Sequence, residues 1–210
     1  MNAALEFLQI AERLHYEART TQMSNGHKES VSSHSWMMSL MAMVFAPRLH
    51  TPVDMERVLK LCTAHDLAEA KTHDIPLHEQ VKSESVCKTK HECEAAAMES
   101  FRNILGEPAG AELMALWQEY EDQKTPEARF VKMLDKLDVD LQVACSQTLG
   151  YVGEYDDNVY WYMYFGNARA EPFRDEPALL EFFHAIQARI ESRIRAELGL
   201  NPDDFKETNK

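Results

Sequence analysis

Glycine is scarce in this chain, with seven in 210 residues. So few leave it poorly supplied for the tight turns of a many-stranded sheet. Strict alternation of apolar and polar residues lasts only a few positions, so no strand is expected. Positive charge is also short: 22 Lys and Arg stand against 35 Asp and Glu, a formal net charge of −13. A surface that acidic repels a polyanion, which argues against a nucleic-acid polymer as partner through a basic face. A small phosphorylated ligand stays compatible, because a bound divalent cation reverses the field locally. No window approaches the roughly 18 uncharged apolar residues of a membrane span, so no membrane partner is expected. The opening "MNAALEFLQIAERLHYEAR" carries Glu6, Glu12 and Arg13 where a leader would have an apolar run, so a cytoplasmic location is expected. Cys62, Cys87, Cys93 and Cys145 form no CxxC pair, which fits a reduced chain. Cys87, His91 and Cys93 lack a fourth zinc ligand at fitting spacing.

What is present is helical periodicity. Leu5, Leu8, Ala11 and Leu14 mark one face of a helix from about Ala3 to Arg19. The polar stretch "TTQMSNGHKES" ends it, and Ser32 or Ser33 is expected to cap "HSWMMSLMAMVFAPRL". Asp54 opens a third helix through "DMERVLKLCTAHDLAEA", which ends at "THDIP" because Pro76 disfavours helix at the residue before it. Further helices are expected over about Ser85 to Leu105, over "AELMALWQEYEDQ", from Pro126 to about Leu149, and over "EPALLEFFHAIQARIESRIRAEL". The Met37, Met38, Met41 and Met43 run reads as core filling. The fold class is all-α: a bundle of about six to eight helices in one domain over 1–200, with a core over 19–150, a helical extension over 151–198 and a tail over 201–210. The aromatic-rich segment "YVGEYDDNVYWYMYFGNARAEPF" within that extension reads as packing or a subunit contact.

The stretch "CTAHDLAEAKTHDIP" contains His-Asp twice. In the first pair, His65 and Asp66 interrupt an apolar helical pattern, and Glu69 follows one turn later over the same patch. Three ionisable groups on an inward-tending face need a compensating charge, and a divalent metal supplies one. The remaining ligands must come from other polar residues in apolar helices. His34 is one candidate. "KMLDKLDVDLQ" offers Asp135 and Asp138 one turn apart, and spacing leaves both open, whereas Asp140 points away.

The ordered set "ESVSSHSW", "AHDLAEAKTHDIP" and "KMLDKLDVDLQ" resembles the HD-domain metal-dependent phosphohydrolases. The likeness is to the group with an HDxxE…GDIP signature, the bacterial 5′-deoxynucleotidases and small eukaryotic HD-domain proteins, and it runs from about Arg19 to Leu149. It implies that His34, His65, Asp66 and Asp135 are metal ligands, Asp135 being preferred because it follows Lys-x-x as the family's ligand does. It implies a catalytic carboxylate at Glu69, a catalytic and substrate-binding one at Asp74, and a phosphate-contacting arginine at Arg19. His73 stands where the family usually has Gly, so the second His-Asp pair is a loop and not a second metal dipeptide. Thr20 stands where the family carries a Trp that shapes the sugar pocket, which leaves both deoxyribo- and ribonucleotides as substrates.

Two His and two Asp suit one divalent ion, Mn²⁺, Co²⁺, Fe²⁺ or Zn²⁺, with positions left for water and a substrate oxygen. The reaction implied is hydrolysis of a nucleoside 5′-monophosphate, with Glu69 as general acid/base. Relatives resemble homodimers, so a homodimer is expected. Three other readings compete. An HD phosphohydrolase of nucleoside triphosphates or signalling nucleotides would need extra basic residues near the pocket. A di-iron HD-type oxygenase would need further histidines, such as His78 and His91. A non-catalytic metal-binding module would leave Glu69 without a use.

Overall fold

The computed structural model describes residues 2–74, 84–147, 149 and 169–202, with 84–88 given by backbone alone. Helix α1 (Asn2–Ala11) and a 3₁₀ turn (Glu12–His15) lead into a two-stranded antiparallel hairpin, β1 (Ala18–Gln22) and β2 (Lys28–Ser30). Then follow α2 (Val31–Phe45), α3 (Met55–Ala64), the single turn α4 (Glu69–Thr72), α5 (Glu84–Leu105), α6 (Ala109–Asp122), α7 (Pro126–Cys145) and α8 (Pro177–Arg193). The helical class stands as expected.

The hairpin corrects the expectation that the first helix reaches Arg19. Its signal was the dipeptide Asn25-Gly26, a hairpin turn in which Gly26 takes φ 83°. Short polar strands hide this, because "ARTTQ" and "KES" show no apolar alternation. What β2 buries is a carboxylate, Glu29. The cap of α2 is Ser30 rather than Ser32 or Ser33: its hydroxyl accepts from the Ser33 N–H at 3.2 Å. Asp54 caps α3 as expected, accepting from the Glu56 and Arg57 N–H groups. Thr125 caps α7 ahead of Pro126, whose missing N–H costs nothing at that position. That helix ends at Cys145, short of Leu149.

Two apolar clusters hold the helices. The larger joins α2, α3, α7 and α8 through Met38, Leu61, Leu134, Leu137 and Ile190, all fully buried. The smaller packs Met98, Phe101 and Trp117 of α5 and α6 against Leu67, Ala68 and Ala70. Each buried Leu, Ile, Met or Phe here contributes about 1.5–3 kcal/mol relative to exposure. Gly110 lets α6 approach α5, since a Cβ there would stand 2.5 Å from the Arg102 carbonyl oxygen. The methionine run divides: Met38 and Met41 are core, but Met43 is exposed. Its side of α2 has no covering layer among the described residues, so an apolar pattern alone misplaced it. Most of the aromatic segment, 151–168, and residues 203–210 of the tail lie outside the described residues, as does His78.

Candidate functional site

The expected third helix is broken at the His-Asp pair. Helix α3 stops at Ala64 with His65 at its carboxyl end. The chain then tightens into i→i+3 bonds: Leu67 N–H to Ala64 O at 3.2 Å, Glu69 N–H to Asp66 O at 3.0 Å and Ala70 N–H to Leu67 O at 3.2 Å. Three residues per turn bring side chains at i and i+3 into line, so Asp66 and Glu69 are aligned more closely than an α-helix would place them.

His65 and His34 are both buried, and each ring is fixed through Nδ1. The His65 Nδ1–H lies 3.0 Å from the Cys62 carbonyl oxygen, which as an acceptor sets the tautomer and leaves Nε2 with its lone pair. The Nδ1 of His34 lies 2.6 Å from Asp138 Oδ2. Both Nε2 atoms are buried without a hydrogen-bond partner among the described residues. They face carboxylates: His65 Nε2 stands 3.0 Å from Asp66 Oδ2, and His34 Nε2 stands 3.8 Å from the same atom and 3.3 Å from Asp135 Oδ1. One ligand atom each of His34, His65 and Asp66 lies within 4.8 Å of the others. His34, His65 and Asp66 thus form a compact donor set that fits a divalent cation, while Asp135 approaches it through His34 and is not within that group. Asp138, which spacing left open against Asp135, lies behind the ring of His34 and receives a bond from Gln142 at 3.3 Å. A carboxylate on the far nitrogen of a ligating histidine orients the ring.

Arg19 enters from β1. Its guanidinium stands 3.4 Å from Asp66 Oδ2 and, on the other side, 3.4 Å from Glu29 Oε2. Thr21 also donates to Glu29, at 3.0 Å. Burial, with the Asp138 charge, pushes the Glu29 carboxyl up to about 7. The hairpin is thus a device for aiming Arg19 into the pocket.

Glu69 is 2% exposed, and its Oε2 has no hydrogen-bond partner among the described residues. Lys90 of α5 sits 3.5 Å from its Oε1 and 3.1 Å from Glu94. Burial first, then the charges of Asp66 and Asp74, push Glu69 up to about 9. Burial lowers the His34 pKa and so does Arg19, but the facing carboxylates of Asp135 and Asp138 outweigh them and raise it to about 9. For Asp66, the imidazoles and Arg19 outweigh burial and hold the carboxyl well below the usual range. Asp74 is half-buried; burial raises its pKa and Arg19 opposes this. Its backbone N–H donates to Glu17 at 3.3 Å.

His73 explains the second His-Asp pair. Its φ of 67° and ψ of 156° belong to a region that favours glycine, and its ring is exposed against Glu17 at 2.9 Å. The turn therefore suits the Gly of the family's pattern, and His73 occupies it at a backbone cost of about 1–3 kcal/mol. His91 is also separate from the cluster: it pairs with Glu121 at 3.1 Å and stacks on Trp117. Asp140 does point away, but into the protein interior and onto Arg169.

Sequence reasoning missed Glu29, Tyr120, Lys132 and Lys90. Tyr120 donates to Asp135 Oδ2 at 2.7 Å, and Lys132 donates to the same oxygen at 3.0 Å. The available signal was a lysine inside the apolar run "FVKML", one turn before Asp135.

The HD-domain family pattern matches residues 11–161. The 5′-deoxynucleotidase HDDC2 of Homo sapiens is 31% identical over 199 residues, covering 94% of this chain and 87% of that one. The 5′-deoxynucleotidase hdd1 of Schizosaccharomyces pombe is 35% identical over 156 residues, 68% of this chain and 74% of its own. Among solved structures, a predicted metal-dependent phosphohydrolase from Magnetospirillum magnetotacticum MS-1 superimposes with a TM-score of 0.75 at 23% identity, covering 91% of this chain and 95% of that one. The broken helix with its His-Asp pair thus sits in a fold and a sequence that agree: the chain belongs to the HD-domain family.

Proposed function

We propose that this chain is a divalent-metal-dependent phosphomonoesterase that hydrolyses nucleoside 5′-monophosphates to nucleoside and phosphate. One observation carries the reading: two buried imidazole nitrogens, without hydrogen-bond partners among the described residues, face the carboxylates of Asp66 and Asp135 beside the guanidinium of Arg19. His34, His65, Asp66 and Asp135 are the ligands in this reading. The names of the relatives add support and favour the deoxyribonucleotide class. A divalent ion held by these groups supplies Lewis-acid polarisation of a phosphoryl oxygen and acidifies water.

The chain's own residues do the rest. Arg19, braced from behind by Glu29, pairs with the phosphate and offsets charge as the transition state develops. Water adds to phosphorus as the bond to the 5′-oxygen breaks. Glu69 carries a proton in a pocket that favours its neutral form, and is placed to deliver it to the departing oxygen and then to take up the proton lost by the water that has added to phosphorus. Asp74, near both Arg19 and Glu69, orients the incoming water or the leaving oxygen. Thr20 on β1 leaves the sugar wall without an aromatic ring.

The test is phosphate release from a panel of deoxyribo- and ribonucleoside monophosphates and triphosphates, with metal analysis of the same protein. The expected result is one divalent metal per chain and release from monophosphates. Two irons with no phosphate release would reject the proposal, and so would activity confined to triphosphates.

The assembly proposed is a homodimer through α2, in the cytoplasm. Trp36 is 63% exposed, and Leu40, Met43 and Val44 follow it along the same apolar face. Met43 also borders a cavity of about 430 Å³ lined by Pro47, Pro52 and Val53. An exposed apolar stripe of this kind marks a protein contact, and a two-fold axis would cover it with its own copy. Free thiols at Cys62, Cys93 and Cys145 suit a reducing compartment. Among the described residues no helix is long and apolar enough to cross a membrane. Sedimentation at micromolar concentration should give a dimer that Trp36→Glu converts to monomer; a monomeric parent protein would end this part of the proposal.

A further inference from the structure

Asp135 turns one carboxylate oxygen, Oδ1, toward His34 and the other away from it. The Oδ2 of Asp135 accepts two bonds, from the Tyr120 hydroxyl at 2.7 Å and from the Lys132 ammonium at 3.0 Å. Lys132 also donates to the Tyr120 oxygen at 2.8 Å and lies 4.7 Å from the centre of its ring. The directions are fixed by chemistry. An ammonium only donates, so the phenol accepts from Lys132 and spends its own proton on Asp135. The three groups form a closed triangle, one helical turn of α7 facing the last turn of α6, with Tyr120 buried. Tyr120 touches a second member of the cluster as well: its ring packs on His65 with centroids 5.0 Å apart.

We propose that Tyr120 is a positioning residue for the metal centre, holding Asp135 Oδ2 with the help of Lys132 so that Asp135 binds the ion through Oδ1 alone. An oxygen already accepting two strong donors is a poor metal ligand, and Oδ1 is the oxygen turned to His34 Nε2, 3.3 Å away. Coordination through one oxygen keeps a position free for substrate or water. Losing the clamp lets the carboxylate rotate, which misplaces Oδ1 or fills the free position with Oδ2. The inference rests on the reading of His34, His65, Asp66 and Asp135 as ligands.

The experiment is Mn²⁺ binding by calorimetry to chelator-treated full-length protein, together with the visible spectrum of the Co²⁺-loaded form. Partners behind metal ligands typically change affinity about 10–100-fold when removed. Tyr120→Phe is expected to weaken Mn²⁺ binding about 10-fold or more and to change the Co²⁺ bands, while chelated protein melts within a few degrees of its parent. Lys132→Met should weaken binding also. The double variant should lose less than the product of the two losses, because both act on one oxygen. Unchanged Mn²⁺ affinity and Co²⁺ bands in Tyr120→Phe would overturn the clamp, as would two losses that multiply independently. Absence of Mn²⁺ binding in the parent protein would instead overturn the ligand assignment beneath it.

Discussion

Glu69→Gln should lower turnover by about 10²–10⁴-fold while the bound metal stays in place. The substitution keeps the size of the side chain and an oxygen for Lys90, which stands 3.5 Å from Glu69 Oε1. It removes only the ability to give and take a proton. The pocket already favours the neutral form, with burial and the charges of Asp66 and Asp74 raising the Glu69 carboxyl to about 9. A neutral amide therefore introduces no new desolvation cost, and the fold should tolerate it. The measurements are phosphate release under saturating substrate and metal content per chain. Turnover within a few-fold of the parent would remove Glu69 from the proton-transfer role. Loss of metal along with activity would point to a ligand rather than an acid/base.

The second large effect is metal removal. Chelator-treated protein should have no detectable phosphatase activity and a stability that falls as pH rises from about 6 to 9, and divalent metal should restore both. The sign follows from three groups. Glu29 moves from an ordinary 4.5 up to about 7, Glu69 from 4.5 to about 9 and His34 from 6.5 to about 9. In each case the folded state keeps a proton that the unfolded chain has released. The stability so gained is fully present below the unfolded value and is lost as pH rises through the folded one. Asp66 acts oppositely: its lowered pKa gives stability present above the ordinary 3.8 and lost only in strong acid, outside this window. A cation competes with the proton for His34 Nε2, so metal affinity should increase with pH where the protons leave. At 100 times its dissociation constant the metal adds about 2.7 kcal/mol. Thermal melts at pH 6 to 9, with and without Mn²⁺, check the prediction. A chelated protein that melts higher at pH 9 than at pH 6 would contradict it.

Much of the site is legible in the letters because ionisable residues inside apolar helical runs are costly and therefore conspicuous. His34 ahead of "SWMMSLMAMVF", His65-Asp66 within "LCTAHDLAEA" and Asp135 after "FVKML" all stand out on that ground. The residues that serve them do not. Glu29 lies in a polar loop-like stretch, and Tyr120 and Lys132 are ordinary members of amphipathic helices. Their importance exists only as distances of about 3 Å between side chains, within one helix or between neighbouring elements. The same limit applied to Asp135 and Asp138, which lie one turn apart on one helix and differ in which nitrogen of His34 each one faces.

What the sequence determined by itself was the helical class, the positions of most helices and the set of polar groups that require one another's charge. Periodicity and the desolvation cost of a lone ion are local properties, readable without coordinates. Only the tertiary structure decided that the chain breaks at His65, that a hairpin aims Arg19, and which carboxylate orients a ring while another faces the pocket. The seating of Arg19 on Asp66 and of His34 on Asp138 joins residues 47 and 104 positions apart, contacts whose directions no local pattern encodes.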